Sequence, residues 1–321
     1  MGGGTTDTAG KRAFIFPGQG SQKVGMGRAL AEARPEARAV FAAADAALGY
    51  PLSRLCFEGP EAELTLTANA QPAILTTSVA ALRVLEADTK LRADVVAGHS
   101  LGEYSALVAA GAVSFEDAVR LVHLRGKFMQ EAVPAGVGAM AAVLGLGRED
   151  VEAACREAAA STGEVVSPAN LNGGKQVVIA GHRAAVERAG AAAKARGGKV
   201  VPLAVSAPFH CALMQPAADR LAAELARVSF RSPSVPVVTN VEAEPNQDGE
   251  RVRDLLTRQV TAPVRWEESV QRMAAMGVTA AVEVGAGAVL ASLVRRIAPS
   301  ISVRAAGDPG SIAELVEKTH A

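Results

Sequence analysis

Short continuous apolar runs alternate along this chain with longer stretches whose apolar residues recur at helical spacing. Arg12 to Phe16, Val95 to Ala97, Val235 to Asn240 and Ala280 to Val284 read as buried strands. Arg28 to Leu48, Gln71 to Ala87 and Leu101 to Ala112 read as helices, the first two rich in alanine. Ser114 stands as N-cap of a further helix that runs to about Ala132, with Asp117 three residues on. The stretch Pro134-Ala135-Gly136-Val137-Gly138 then marks a boundary. Beyond it the order becomes strand (Ala139 to Leu144), helix (Arg148 to Ala160), strand (Val165 to Leu171), strand (Gln176 to Gly181), helix (Arg183 to Arg196) and strand (Lys199 to Val205). That is the order of a split βαβ unit. From Pro208 the first pattern resumes, with Asp254 to Gln259 in a helix. The expectation is a larger α/β domain, residues 1–135 and 207–321, interrupted by a smaller one, residues 136–206. Ligands commonly bind in the cleft between two such units.

Composition narrows the classes of partner. Of the 321 residues 49% are hydrophobic and 21% charged, enough apolar material for a large core. Thirty-three basic residues balance 33 acidic ones, so no global attraction to nucleic acid or membrane is expected. No apolar run is long enough to span a bilayer. Cys56, Cys155 and Cys211 are odd in number and far apart, which suggests a reducing, cytoplasmic setting without disulfides or a zinc site. Met1 to Gly10 is Gly/Thr-rich and reads as a loose terminus; its match to a myristoylation pattern is discounted as low-complexity sequence.

The chemistry centres on Gly98-His99-Ser100-Leu101-Gly102. A G-x-S-x-G between a strand and a helix is a nucleophile elbow. The turn is crowded, so glycines flank the serine, and the hydroxyl is left beside free N–H groups at a helix start. A serine needs a base. Of the five histidines, His99 should point away from its neighbour's hydroxyl, His123 and His182 read as solvated, and His320 lies in the tail. His210, in Ser206-Ala207-Pro208-Phe209-His210, follows the last strand of the insert and is the candidate base. No acid to orient it is evident. Asp219 should face water, and a backbone carbonyl could serve instead. The expectation is a Ser–His dyad. Arg125 reads either as a surface arginine or as a bidentate clamp on a carboxylate, with Gly126 thinning the helix for a ligand. Pro17-Gly18-Gln19-Gly20 resembles a phosphate loop, but Lys23 breaks the dinucleotide spacing. It reads as a loop that exposes N–H groups.

Taken in order, Phe16 to Gln22, Gly98 to Ser105, Arg125 to Gln130, Gly138 to Ala142, Gln176 to Gly181 and Pro208 to His210 resemble the malonyl-CoA:acyl-carrier-protein transacylase family of bacterial fatty acid synthesis. Acyltransferase domains of polyketide synthases share the family. The resemblance runs from about Ala13 to Ile297. It implies an α/β-hydrolase-like core with a parallel sheet and an inserted ferredoxin-like α+β subdomain. It implies Ser100 as acylated nucleophile, His210 as base and Arg125 as the group that binds the malonyl carboxylate. The N–H groups of Gln19 and Leu101 would form the oxyanion hole, and the backbone carbonyl of Gln259 would hold the histidine. Asn172 falls near a cleft position without an assigned role. Phe209 departs from many stand-alone bacterial members and fits a small malonyl unit. Malonyl-CoA enters as a substrate, and neither a cofactor nor a metal is expected. The partner implied is acyl carrier protein, served by a monomer.

Two other readings share these residues. A serine hydrolase would use the same elbow and dyad with water as acceptor. A CoA- or nucleotide-binding module would use the Gly18–Gly20 loop without a covalent step. Carrier proteins are acidic, so Arg183, Arg188, Lys194, Arg196, Lys199, Arg295 and Arg296 are candidates for a docking patch, or else solvated helix faces.

Overall fold

The computed structural model describes residues 10–160, 162–205 and 207–320. The terminal segment with the myristoylation-like pattern, Gly10 apart, lies outside the described residues. In chain order the first half contains β1 (Lys11–Phe16), α1 (Arg28–Ala33), α2 (Pro35–Leu48), α3 (Leu52–Glu58), α4 (Glu61–Thr65), α5 (Thr67–Asp88), β2 (Val95–Gly98), α6 (Gly102–Ala109) and α7 (Phe115–Glu131). Next come β3 (Gly138–Leu144), α8 (Arg148–Ala160), β4 (Val166–Leu171), β5 (Gln176–His182), α9 (Arg183–Ala195) and β6 (Lys199–Pro202). The chain closes with α10 (Gln215–Leu225), β7 (Val237–Val238), β8 (Pro245–Asn246), α11 (Gly249–Gln259), α12 (Trp266–Ala275), β9 (Val278–Val284), α13 (Val289–Ile297), β10 (Ser302–Ala306) and α14 (Pro309–His320).

The strands form two sheets. One has the order β10-β9-β1-β2-β7-β8, parallel except where β8 joins β7. Its residues alternate between two apolar layers. Phe14, Phe16, Val96 and Val282 face a core shared with Ile74, Leu82, Tyr104 and Val122. Ala13, Ile15, Val95, Ala97 and Ala281 face Trp266, Val270, Leu290 and Val294. Helices thus cover both faces, which is why these strands read as unbroken apolar runs. The second sheet, β4-β5-β3-β6, is antiparallel throughout. In its own numbering that is 2-3-1-4, the ferredoxin-like order. Val143, Val177 and Ile179 pack under α8 and α9. Met140, Ala142 and Val178 face the main core. The fold is an α/β-hydrolase-like core with a parallel sheet beside a ferredoxin-like α+β unit.

Prolines mark three of the elements that differ from expectation. The helix expected over Arg28 to Leu48 is two, because Arg34 precedes Pro35 and is extended, at φ −134° and ψ 124°. The strand expected over Lys199 to Val205 stops at Pro202, and that expected over Val235 to Asn240 shortens to Val237–Val238 after Pro236. Proline has no N–H for the ladder.

Strand order also fixes where a site can form. From β1 the chain moves outward through β2 to β7, then returns to place β9 on the other side of β1. The direction therefore reverses at β1, where the loops after β1 and β2 leave the same sheet end with Phe16 paired to Gly98. Such a reversal opens a crevice at the carboxyl ends of the strands.

Candidate active site

Ser100 stands at the tip of that crevice with φ +52°, the left-handed conformation a nucleophile elbow imposes. The flanking glycines are required by contact. A Cβ at Gly98 would lie 1.9 Å from the carbonyl carbon of Gly102, and one at Gly102 would lie 2.1 Å from the oxygen of Phe16. The turn is braced by Asn240, two residues past β7. The Ser100 N–H donates to Asn240 Oδ1 at 2.6 Å, and Asn240 Nδ2 donates to the Gly98 carbonyl at 2.7 Å.

The candidate base arrives from the other side of the cleft. His210 is 3% exposed and, like the serine, has a left-handed backbone, φ +58°. Its Nδ1–H donates to the main-chain carbonyl of Gln259 at 2.8 Å. That bond leaves Nε2 unprotonated, and Nε2 accepts from the Ser100 hydroxyl at 2.7 Å. Burial first, then the charge of Arg125, pushes the His210 ring down to about 3. A ring held neutral can take a proton from serine. Asp219 is exposed and pairs with Gln215, as expected of a residue outside the dyad.

Arg125 is 1% exposed, which removes the surface reading. It projects from α7 into the site. Nη1 donates to Gln71 Oε1 at 2.8 Å, and Nη2 donates to Gln259 Oε1 at 3.0 Å and to Ser100 Oγ at 3.2 Å. Its neighbour Gly126 serves a different purpose from the one expected. A Cβ there would lie 2.4 Å from the carbonyl oxygen of Thr67, so the glycine lets α7 close on the start of α5 and makes no room for a ligand.

These groups meet in a cavity of about 320 Å³ lined by polar Gln19, Gln71, His99, Ser100, Arg125 and His210, with Met129, Met140 and Phe209 among its apolar walls. Gln19 reaches it because Gly18 presses on the elbow; a Cβ at Gly18 would sit 2.4 Å from the His99 carbonyl oxygen. The Leu101 side chain is buried, so that residue meets the site through its backbone, whereas the buried Gln259 side chain touches it directly, its Oε1 accepting from Arg125 and its Nε2 donating to the Ser100 carbonyl at 3.1 Å. Leu101 is the N-cap of α6, whose next N–H groups, those of Gly102 and Glu103, turn back to the carbonyls of His99 and Ser100.

Sequence reasoning missed Asn240, Glu103 and Gln71 as supports, and gave Asn172 no role. Asn172 Oδ1 accepts from His99 Nε2 at 2.8 Å, which turns that ring away from the serine. The other two histidines singled out as solvated are engaged. Nδ1–H of His123 donates to the Ala68 carbonyl, and His182 Nδ1 accepts from the Val165 N–H. The expected basic patch is largely internally satisfied. Arg188 pairs with Glu164 and Arg196 with Glu157, while Arg183, Arg295 and Arg296 donate to Gly136, Val303 and Gln176. Lys194 and Lys199 are exposed. Burial pushes the thiols of Cys56 and Cys155 up to about 12 and that of Cys211 up to about 11, so the cysteine beside the base is a packed, protonated side chain. Among the described residues, no group of three His, Cys, Asp or Glu side chains is placed to hold a metal ion. No described helix is long and apolar enough to cross a membrane.

A serine hydroxyl bonded to a neutral imidazole, with a buried guanidinium beside it, is equipped for acyl transfer. Residues 13–321 match the acyl transferase domain family, and the chain belongs to that family. It is an acyltransferase. Among its relatives is the malonyl CoA-acyl carrier protein transacylase of Escherichia coli K12, 54% identical over 306 residues, 95% of this chain and 98% of that protein. The same-named protein of Bacillus subtilis strain 168 is 48% identical over 310 residues, 96% and 97% of the two chains. Among solved structures, an acyl carrier protein S-malonyltransferase from Vibrio cholerae superposes with a TM-score of 0.92 at 48% identity, covering 95% of this chain and 99% of that one. A malonyl-transacylase in complex with its type II PKS acyl-carrier protein gives 0.93 at 49% identity, covering 96% and 99%.

Proposed function

We propose that the chain transfers a malonyl group from malonyl-CoA to the phosphopantetheine thiol of an acyl carrier protein, through a malonyl ester on Ser100, and so supplies extender units for fatty acid synthesis. The observation that carries this is the position of one oxygen. Ser100 Oγ lies 2.7 Å from His210 Nε2 and 3.2 Å from Arg125 Nη2. The nucleophile thus sits between a base and a buried cation, and the cation suits an acyl group that ends in a carboxylate.

In the first half-reaction His210 Nε2 takes the hydroxyl proton while Oγ bonds to the thioester carbon. The oxyanion is held by the N–H groups of Gln19 and Leu101, each such donor contributing roughly 3 kcal/mol. The carbon–sulfur bond then breaks, and coenzyme A leaves as its thiol with the proton from His210. In the second half the carrier thiol gives its proton to His210 and attacks the ester carbon, and Ser100 recovers its hydroxyl. Arg125 keeps the malonyl carboxylate in place through both halves. Met129, Met140 and Phe209 narrow the cavity around a short unbranched acyl chain. Docking of an acidic carrier would use Lys194 and Lys199, two exposed lysines of the smaller unit. The enzyme would work in the cytoplasm as a monomer, its core residues 1–135 and 207–321 closing with residues 136–206 around the acyl group.

Intact-mass measurement after incubation with malonyl-CoA tests the reading. The wild type should gain one malonyl group and lose it on addition of carrier protein, and Ser100→Ala should gain none. Rapid loss of the adduct to water, unaffected by carrier, would make the protein a hydrolase.

A further inference from the structure

Arg125 is buried, yet none of the three bonds from its terminal nitrogens goes to a carboxylate; two end on glutamine carbonyls and one on a hydroxyl. A buried charge without a counter-charge is costly. A carboxylate is present one residue away. Glu103, 2% exposed, lies in the first turn of α6, three positions after the nucleophile. Its Oε2 accepts from the Asn240 main-chain N–H at 2.9 Å and from Gln259 Nε2 at 2.8 Å.

Both of those residues pass the link onward. Asn240 braces the elbow through its side chain. Gln259 accepts from Arg125 with its side-chain oxygen and from His210 with its main-chain oxygen. An amide has one face that donates and one that accepts. With acceptors at Glu103 Oε2, 2.8 Å away, and at the Ser100 carbonyl, 3.1 Å away, the Gln259 NH₂ faces them and Oε1 faces the guanidinium.

We propose that Glu103 is a positioning residue for the transfer and the counter-charge of Arg125 at one remove, acting through the Gln259 amide. The proposal rests on Arg125 receiving the acyl carboxylate. A carboxylate bonded directly to Arg125 would occupy the same donors as the substrate. Once ionised, Glu103 supplies negative charge through an intervening amide and leaves the terminal nitrogens to exchange glutamine and serine contacts for the malonyl group.

The test is a double-mutant cycle read on acyl preference, the ratio of kcat/KM for malonyl over acetyl loading of Ser100. Wild type, Glu103→Ala, Gln259→Ala and the double variant are compared, with Glu103→Gln as the conservative replacement. Glu103→Ala should lower the preference about tenfold, yet by less than about twofold when Gln259 is already alanine. Glu103→Gln should recover only part of the loss, because its carbonyl oxygen can accept both bonds but carries no charge. Independent losses in the cycle, or an unchanged preference in Glu103→Ala, would overturn the proposal. If Glu103→Ala is not recovered folded, Glu103→Asp enters the same cycle with the same expectation, since a side chain one methylene shorter cannot hold both donors. The wild-type and Arg125→Ala controls separate the two levels. No malonyl preference in the wild type would overturn the underlying reading and the counter-charge role with it. A wild-type preference that Arg125→Ala abolishes and Glu103→Ala leaves alone would overturn only the present proposal.

Discussion

The main-chain carbonyl of Gln259 stands 2.8 Å from His210 Nδ1, so the base is oriented by a neutral peptide group. No anion at that nitrogen offsets the burial and the Arg125 charge that push the ring down to about 3. Acylation of Ser100 should therefore persist at pH values below the ordinary imidazole range of about 6.5. Arg125→Ala removes one of these causes and should move the acid limb toward higher pH. Burst-phase acylation measured across pH checks both expectations. A wild-type limb at or above the ordinary value would contradict the buried, neutral ring.

Burial raises the Glu103 carboxyl from 4.5 to about 7. The folded chain then keeps a proton that the unfolded chain begins to lose near pH 4.5. This group's contribution to stability is complete below that value and drains away as pH rises through 7. Glu103→Gln has no such dependence. The Tm of the variant minus that of the wild type should increase between pH 5 and pH 8, by about 2 °C or more. Thermal melts in matched buffers give the answer, and a constant difference would contradict it.

Asn240 spans the elbow, and its loss leaves the Gly98 carbonyl and the Ser100 N–H without that partner. Asn240→Ala should cost about 1–3 kcal/mol of stability and lower kcat for both acyl groups alike. Asn240→Asp can still accept from Ser100 but cannot donate to Gly98, so it should recover only part of the loss. Urea unfolding and steady-state transfer separate the two effects.

Gly126 allows α7 to touch the carbonyl of Thr67. Gly126→Ala must push the helices apart at the turn that carries Arg125, at a cost of about 1–3 kcal/mol. Malonyl loading should fall more than acetyl loading, because the displaced group is the proposed carboxylate clamp. Equal losses would mean that the shift spares the guanidinium.

The dyad and the fold were legible because each leaves a local mark. Gly98 and Gly102 flank Ser100 within five positions, and the two units differ in their order of strands and helices. Arg125 was ambiguous because a mid-helix arginine looks the same whether its face is covered or bare. Here α5 covers it, and Gln71 lies 54 positions earlier. Asn240, 140 positions from Ser100, carries no periodicity that ties it to the elbow. Glu103 was in view within the motif, but an acid in a first helical turn is ordinarily a surface feature. Only the tertiary fold, which brings α11 and β7 over it, makes it a buried hub.

Gln259 closes α11 and touches Arg125, the proposed selecting cation, with its side chain and His210, the proposed proton acceptor, with its peptide. Discrimination and speed therefore hang from the same hinge-pin. A shift of this helix end would disturb both together, so neither can be adjusted from this position while the other stays as it was.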